Sequence, residues 1–100
     1  MKVGTTPTHS FTLPIGEDRI RSVEITYCQN GEVVLQKYTD DCTINENIVS
    51  VTLSQMDTFE FMGGVNVETQ IRVLDIDDNT FASNIVCVPC ERCLSTEVLI

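Results

Sequence analysis

Cys87-Val88-Pro89-Cys90-Glu91-Arg92-Cys93 places three thiols at C-x₂-C-x₂-C spacing, a spacing in which thiolates gather around an iron–sulfur cluster. Zinc would need a fourth ligand, drawn from Cys42, Cys28 or His9, because it prefers four N or S donors in a tetrahedron. The surroundings argue against both. There is no second C-x₂-C pair, and Cys87 falls on the same phase as Ile85, the inward one. Cys87 and Cys90 stand at odd spacing at a strand end, so they face opposite ways unless Pro89 breaks the strand. A thioredoxin-type C-x₂-C needs a helix N-terminus beside it, and none is expected there. The reading is therefore no metal ligands and no cofactor. The five cysteines are an odd set, a poor disulfide framework, and are expected as free thiols.

A second constellation is Asp75-Ile76-Asp77-Asp78-Asn79. D-x-D-x-N is how an EF-hand calcium loop begins. That loop then requires Gly at its sixth position and an acid at its twelfth, where this chain has Thr80 and Val86. It also lies between strand-like runs, so it reads as a solvated hairpin turn. Nucleophilic catalysis finds no support. His9 is the one histidine, no G-x-S-x-G elbow exists, and Gly63-Gly64 is followed by no Lys to cradle phosphate. No catalytic residue is assigned, and the chain is not expected to be an enzyme.

These residues hang on strands. Val65, Val67, Ile71 and Val73 alternate with Asn66, Glu68, Gln70 and Arg72, a period of 2 that means one buried and one wet face. Asp77-Asp78-Asn79 turns this run into a second one, Phe81 to Val88. Ile20–Gln29 reads as a strand with Val23, Ile25 and Tyr27 inward. Asn30-Gly31 is the strongest hairpin signal in the chain, and Val33–Tyr38 is its return. Short strands are also expected at His9–Pro14, Cys42–Ile44 and Ile48–Leu53. Ser54-Gln55-Met56-Asp57 is a helix start with an acid three residues after the cap, and Gly63-Gly64 ends one short helical turn near 54–61. About seven short strands joined by turn chemistry argue an all-β, Ig-like antiparallel sandwich. Residues 1–100 form one domain, with 1–7 as a loose N-terminal arm and 91–100 as a C-terminal tail. Ile25, Val51, Ile71, Val73 and Ile85 are the expected core.

Composition narrows the partners. The net charge is −9 and 42% of residues are hydrophobic. The six basic residues form no patch, which disfavours nucleic acid bound through phosphates, and acidity disfavours anionic membranes. No run approaches the roughly 18–20 apolar residues of a membrane helix. Met1-Lys2-Val3-Gly4-Thr5-Thr6 has no apolar h-region, so synthesis in a cytoplasm is expected. Edge strands need a guard or a partner. Lysines are scarce here, and Pro7, Pro14 and Pro89 lie at run boundaries. The tail ends in Val98, Leu99 and Ile100, which with Leu94 are the candidate interaction residues. A β-propensity tail suits strand addition to a neighbour.

Thr6–Pro14, Ile25–Gly31, Val49–Phe59, Gln70–Leu74 and Cys93–Leu99 resemble a set of small uncharacterised proteins encoded in phages and prophages of gut Gram-positive bacteria, often near virion genes. The resemblance spans about residues 5–99. More distantly, the strands around Leu53-Ser54-Gln55-Met56-Asp57-Thr58-Phe59 look like the Ig-like N-terminal domain of phage baseplate proteins. The resemblance implies a non-enzymatic virion or assembly component, acting through protein–protein contacts with other virion proteins or with itself as a homo-oligomer. It is made in the bacterial host cytoplasm and located in the virion, with no direct nucleic acid and no membrane contact. The alternative is a small acidic phage-encoded inhibitor that binds a host defence protein. Ordered rows of carboxylates on one face would mark it, whereas the acids here lie mostly in turns.

Overall fold

Residues in the left-handed backbone region set the hairpins of the computed structural model, which describes all residues from Met1 to Ile100. Asn30 and Gly31, at φ 52° and 77°, connect β2 (Ile20–Gln29) to β3 (Glu32–Tyr38), and both dihedrals are positive, as a type I′ turn requires. Glu46 at φ 56° turns β4 (Cys42–Asn45) into β5 (Ile48–Thr52). Asp78 at φ 64° turns β6 (Val67–Asp75) into β7 (Thr80–Ala82). The remaining strands are β1 (Thr8–Thr12) and β8 (Val86–Val88), and α1 (Gln55–Phe59) is the one α-helix.

The strands form two antiparallel sheets. One has the order β1-β5-β4; the other runs β3-β2-β6, with β7 and β8 end to end along the far edge of β6. The chain is thus the expected all-β sandwich. Its order keeps β2 and β3 together as a hairpin, whereas the second and third strands of an immunoglobulin domain lie in opposite sheets. The likeness is therefore one of architecture.

Alternation decides which side chains meet between the sheets. β2 buries Val23, Ile25 and Tyr27; β6 buries Val67, Ile71 and Val73; β5 buries Val49 and Val51, with Leu53 just beyond it. Ile25 lies opposite Ile71 and Val23 opposite Val73. Of the expected core residues, Ile25, Val51, Ile71 and Val73 are buried there. Ile85 is not: it is 59% exposed.

Ile85 is outside because the last run is two strands, not one. Phe81 pairs with Val73 and Val88 with Val67, so the return path carries one residue more than the stretch of β6 it covers. The irregularity is pinned at Ser83, whose N–H donates to the Ile71 carbonyl at 2.9 Å and whose hydroxyl accepts from Ile71 N–H at 3.1 Å. Side chains alternate with period 2, so one extra residue exchanges the faces of everything beyond it. Cys87, expected inward with Ile85, is likewise exposed.

Residues 1–7, expected as a loose arm, are strapped to the body. Val3 N–H donates to the Glu91 carbonyl at 3.0 Å and Glu91 N–H to the Met1 carbonyl at 2.8 Å, a parallel bridge between the chain's two ends. Val3 is buried. The buried Thr58 hydroxyl accepts from Gly4 N–H at 2.9 Å and donates to the Thr5 carbonyl at 2.8 Å. A parallel bridge between residues so far apart in sequence has no local signature.

The connection between the sheets is built as its composition suggests. Ser54 Oγ accepts from Asp57 N–H at 3.0 Å while the Asp57 carboxylate accepts from Ser54 N–H at 2.9 Å, a reciprocal cap that satisfies two otherwise unpaired donors. The loop after α1 is held by Gln29, buried at the end of β2. Its Nε2 donates to the carbonyls of Met62 and Val65 at 2.8 and 3.0 Å, and its Oε1 accepts from Met62 N–H at 2.8 Å. Gly63 is required by close approach, since a Cβ there would lie 2.5 Å from the Arg92 Cα.

Denaturant titration checks this assignment of faces. Ile71→Ala is expected to cost about 2–5 kcal/mol, the range for deleting a buried aliphatic side chain. Ile85→Ala is expected to change stability by less than about 0.5 kcal/mol. Gln29→Ala is expected to cost about 1–3 kcal/mol, because it removes three hydrogen bonds and leaves the partly buried Met62 N–H without its acceptor. A costly Ile85→Ala beside a neutral Ile71→Ala would mean that the sheet faces are reversed.

Candidate interaction surface

The cysteine run is split between surface and interior. Cys87 and Cys93 are exposed, whereas Cys90 is buried. All five thiols are free. Burial pushes the Cys90 thiol above its ordinary value, against the opposing effect of the N-terminal ammonium. Cys42 is raised too, by burial first and by Asp41 second, with Lys37 opposing; its thiol donates to the Tyr38 carbonyl at 3.3 Å. Thiols held in the protonated form are poor nucleophiles. No three His, Cys, Asp or Glu side chains converge to hold a metal ion.

The acidic turn is closed on itself. Asp75 Oδ1 accepts from Asp77 N–H at 2.8 Å and from Asn79 N–H at 2.9 Å. The Asn79 N–H is the main cause that holds this carboxyl below its ordinary range; burial opposes it, and the Asp77 N–H and Arg19 add to it. Asp77 pairs with Arg19 and Asp78 with Arg21, which also donates to the Ile76 carbonyl at 2.9 Å. These carboxylates bind the protein's own arginines and backbone, as a hairpin turn needs.

One polar pair inside the sandwich has a weak sequence signal. Tyr27 is fully buried, its ring edge-on to Phe61 at 5.8 Å between centroids. Its hydroxyl lies 2.7 Å from His9 Nδ1. A tyrosine on an apolar phase must find a partner for its hydroxyl, and that requirement is the only hint the sequence offers of His9's role. Nearby, Lys37 and Asp57 form a largely buried ion pair at 3.0 Å. Burial alone would raise the Asp57 carboxyl; the Ser54 N–H and Lys37 outweigh it and hold it low. His9 is held below its ordinary value of 6.5, by burial first and the N-terminal ammonium second.

The candidate interaction residues lie on the outside. Leu94 is 93% exposed and Leu99 81%; Val98 and Ile100 are exposed as well. The tail is held near its end by one side chain. Gln55 Nε2 donates to the Leu99 carbonyl at 3.0 Å and Gln55 Oε1 accepts from Leu99 N–H at 2.8 Å. That grip is on backbone alone and leaves the Leu99 side chain in water. On another side, a groove runs between β1 and the β7/β8 edge. One half, of about 310 Å³, is lined by Phe11, Val86 and Val88; the other, of about 250 Å³, by Phe11, Leu13, Ile71 and Phe81. The groove has no counterpart in the sequence reading, since it arises from how two sheets overlap.

Comparison with protein-family models, curated proteins and solved structures finds no match to this chain.

The His9 pair carries a pH dependence. A histidine whose folded pKa is depressed takes up its proton more readily when unfolded, so stability is complete above the ordinary value of about 6.5 and falls as the pH drops below it. Carboxylates held low lose their contribution only further down, nearer pH 4. The native chain is therefore expected to lose stability between about pH 7 and 5, and His9→Gln to show a flatter profile there. Denaturation midpoints at the two pH values check this, and identical slopes would remove His9 as the cause.

Proposed function

We propose that this chain is a non-enzymatic component of a phage particle or of its assembly, and that it acts through protein–protein contacts. The observation that carries the reading is the tail: Leu94, Val98, Leu99 and Ile100 stand in water while only the backbone of Leu99 is held. Exposed apolar side chains clustered on one segment mark an interaction site more than scattered ones do. The resemblance to short phage and prophage proteins supplies the virion setting.

Charge supports protein partners over nucleic acid. Of the six basic residues, Lys2, Arg19, Arg21, Lys37 and Arg72 are each engaged with a carboxylate, which leaves no free basic stripe for phosphates. The same pairings weaken the inhibitor reading, since Asp77 and Asp78 are matched by arginines. No helix is long and apolar enough to cross a membrane.

Quantitative mass spectrometry of purified virions and of assembly intermediates is the test. The chain is expected at a fixed stoichiometry to the major structural proteins in one or the other. Its absence from both, together with a stable complex with one host protein, would replace this reading by the inhibitor.

A further inference from the structure

The two sheets are unequal. Three strands, β1, β5 and β4, face four strand positions: β3, β2, β6 and the β7/β8 edge. The unfilled position lies beside β1, where the groove exposes parts of Phe11, Phe81 and Val88.

The backbone of β1 is arranged for a partner there. Leu53 N–H donates to the Pro7 carbonyl at 2.9 Å and Leu13 N–H to the Asn47 carbonyl at 2.7 Å. Hydrogen-bonded and non-bonded pairs alternate along an antiparallel ladder. With Thr8 opposite Thr52 and Thr12 opposite Ile48, the odd-numbered residues bond to β5. Thr8, Ser10 and Thr12 therefore turn their N–H and C=O groups to the free edge.

We propose that this position takes the segment Leu94–Ile100 of a second copy of the chain, added as a strand beside β1. The inference deepens the reading of the chain as a docking component and rests on it. The segment has the pattern the position requires. Leu94, Thr96, Val98 and Ile100 alternate with Ser95, Glu97 and Leu99, so one face of an extended strand is apolar or β-branched and meets the groove. Extended, the segment spans about 23 Å, enough to run the length of β1. The Gln55–Leu99 grip engages both the N–H and the C=O of Leu99 through one side chain, so only two bonds need to break before the segment is free to pair. That grip also keeps a chain's own tail beside α1 and leaves its groove open to a neighbour's. The contact is heterologous, a tail into a groove, so each added copy presents a fresh tail, and repetition gives rings or chains.

Two full-length variants test this by light scattering over a range of concentrations. Ser10→Pro removes an edge donor while the ladder to β5 keeps its bonds, a position where strands tolerate proline. Leu94→Asp with Val98→Asp alters only exposed side chains of the tail. The native chain is expected to rise in mass above the 11.2 kDa monomer, and each variant alone to remain monomeric. Mixed, one variant retains a tail and the other a groove, and a 1:1 complex is expected. Should Ser10→Pro not fold, amide NMR of the Leu94→Asp/Val98→Asp chain with a peptide of residues 94–100 decides the same point. Shifts confined to β1, β7 and β8 support the proposal; shifts elsewhere, or none, overturn it. A native chain that stays monomeric, or a tail variant that assembles like the native one, also overturns it. A monomer in solution that is stoichiometric in virions refutes the second copy alone; self-assembly with absence from virions refutes the virion role alone.

Discussion

Ile25 and Ile71 lie directly opposite each other on β2 and β6, with Val23 and Val73 the next pair inward, and every other part of the molecule is placed relative to that ladder. β2 is the longest strand and β6 the next. Each is flanked on both sides, so neither has an edge to protect. β3 is fixed to β2 by the Asn30-Gly31 turn, and β7 to β6 by the turn that Asp75 closes with its own carboxylate. The three-stranded sheet then covers the apolar face of this ladder with Val49, Val51 and Leu53. A slip of one residue between β2 and β6 would turn the whole apolar set of one of these strands to water.

From this centre outward the holding forces become weaker and more polar. Gln29 fixes the loop after α1 with three hydrogen bonds, and Thr58 fixes the N-terminal segment with two. These clamps are buried, and their groups are matched donor for acceptor, which makes each expensive to break. Beyond Glu91, the C-terminal segment is tied to the body by the Gln55 amide, at an exposed site where water competes for the same groups. A segment held this way opens at little cost compared with the core. A well-packed body with a weakly tethered tail is suited to donating that tail to a neighbour. The uneven number of strands in its two sheets leaves room for one.

The legibility of the chain follows from how local each cause is. Asn30-Gly31, the Ser54–Asp57 cap and the alternation in β2, β5 and β6 act over a few residues, and each element stands where its residues place it. The break between β7 and β8 is not legible, because Ser83-Asn84-Ile85 has ordinary β composition. Nothing in it announces that Ser83 would take both backbone groups of Ile71 and insert an extra residue. That one event exposed Ile85 and Cys87 together. The strapping of the N-terminal segment is equally invisible locally, because its partner, Glu91, lies at the other end of the chain.

The sequence by itself determined the class of fold, the hairpin turns, the helix start and most of the core, because turn dihedrals and side-chain period are properties of neighbouring residues. It also determined that the tail is apolar and of strand composition. Only the tertiary structure decided that Cys90 and not Cys87 is the buried thiol, the pairing of Tyr27 with His9, and the open position beside β1. Each of these depends on the register and overlap of strands distant in sequence, which packing of the whole apolar face selects and no local pattern encodes.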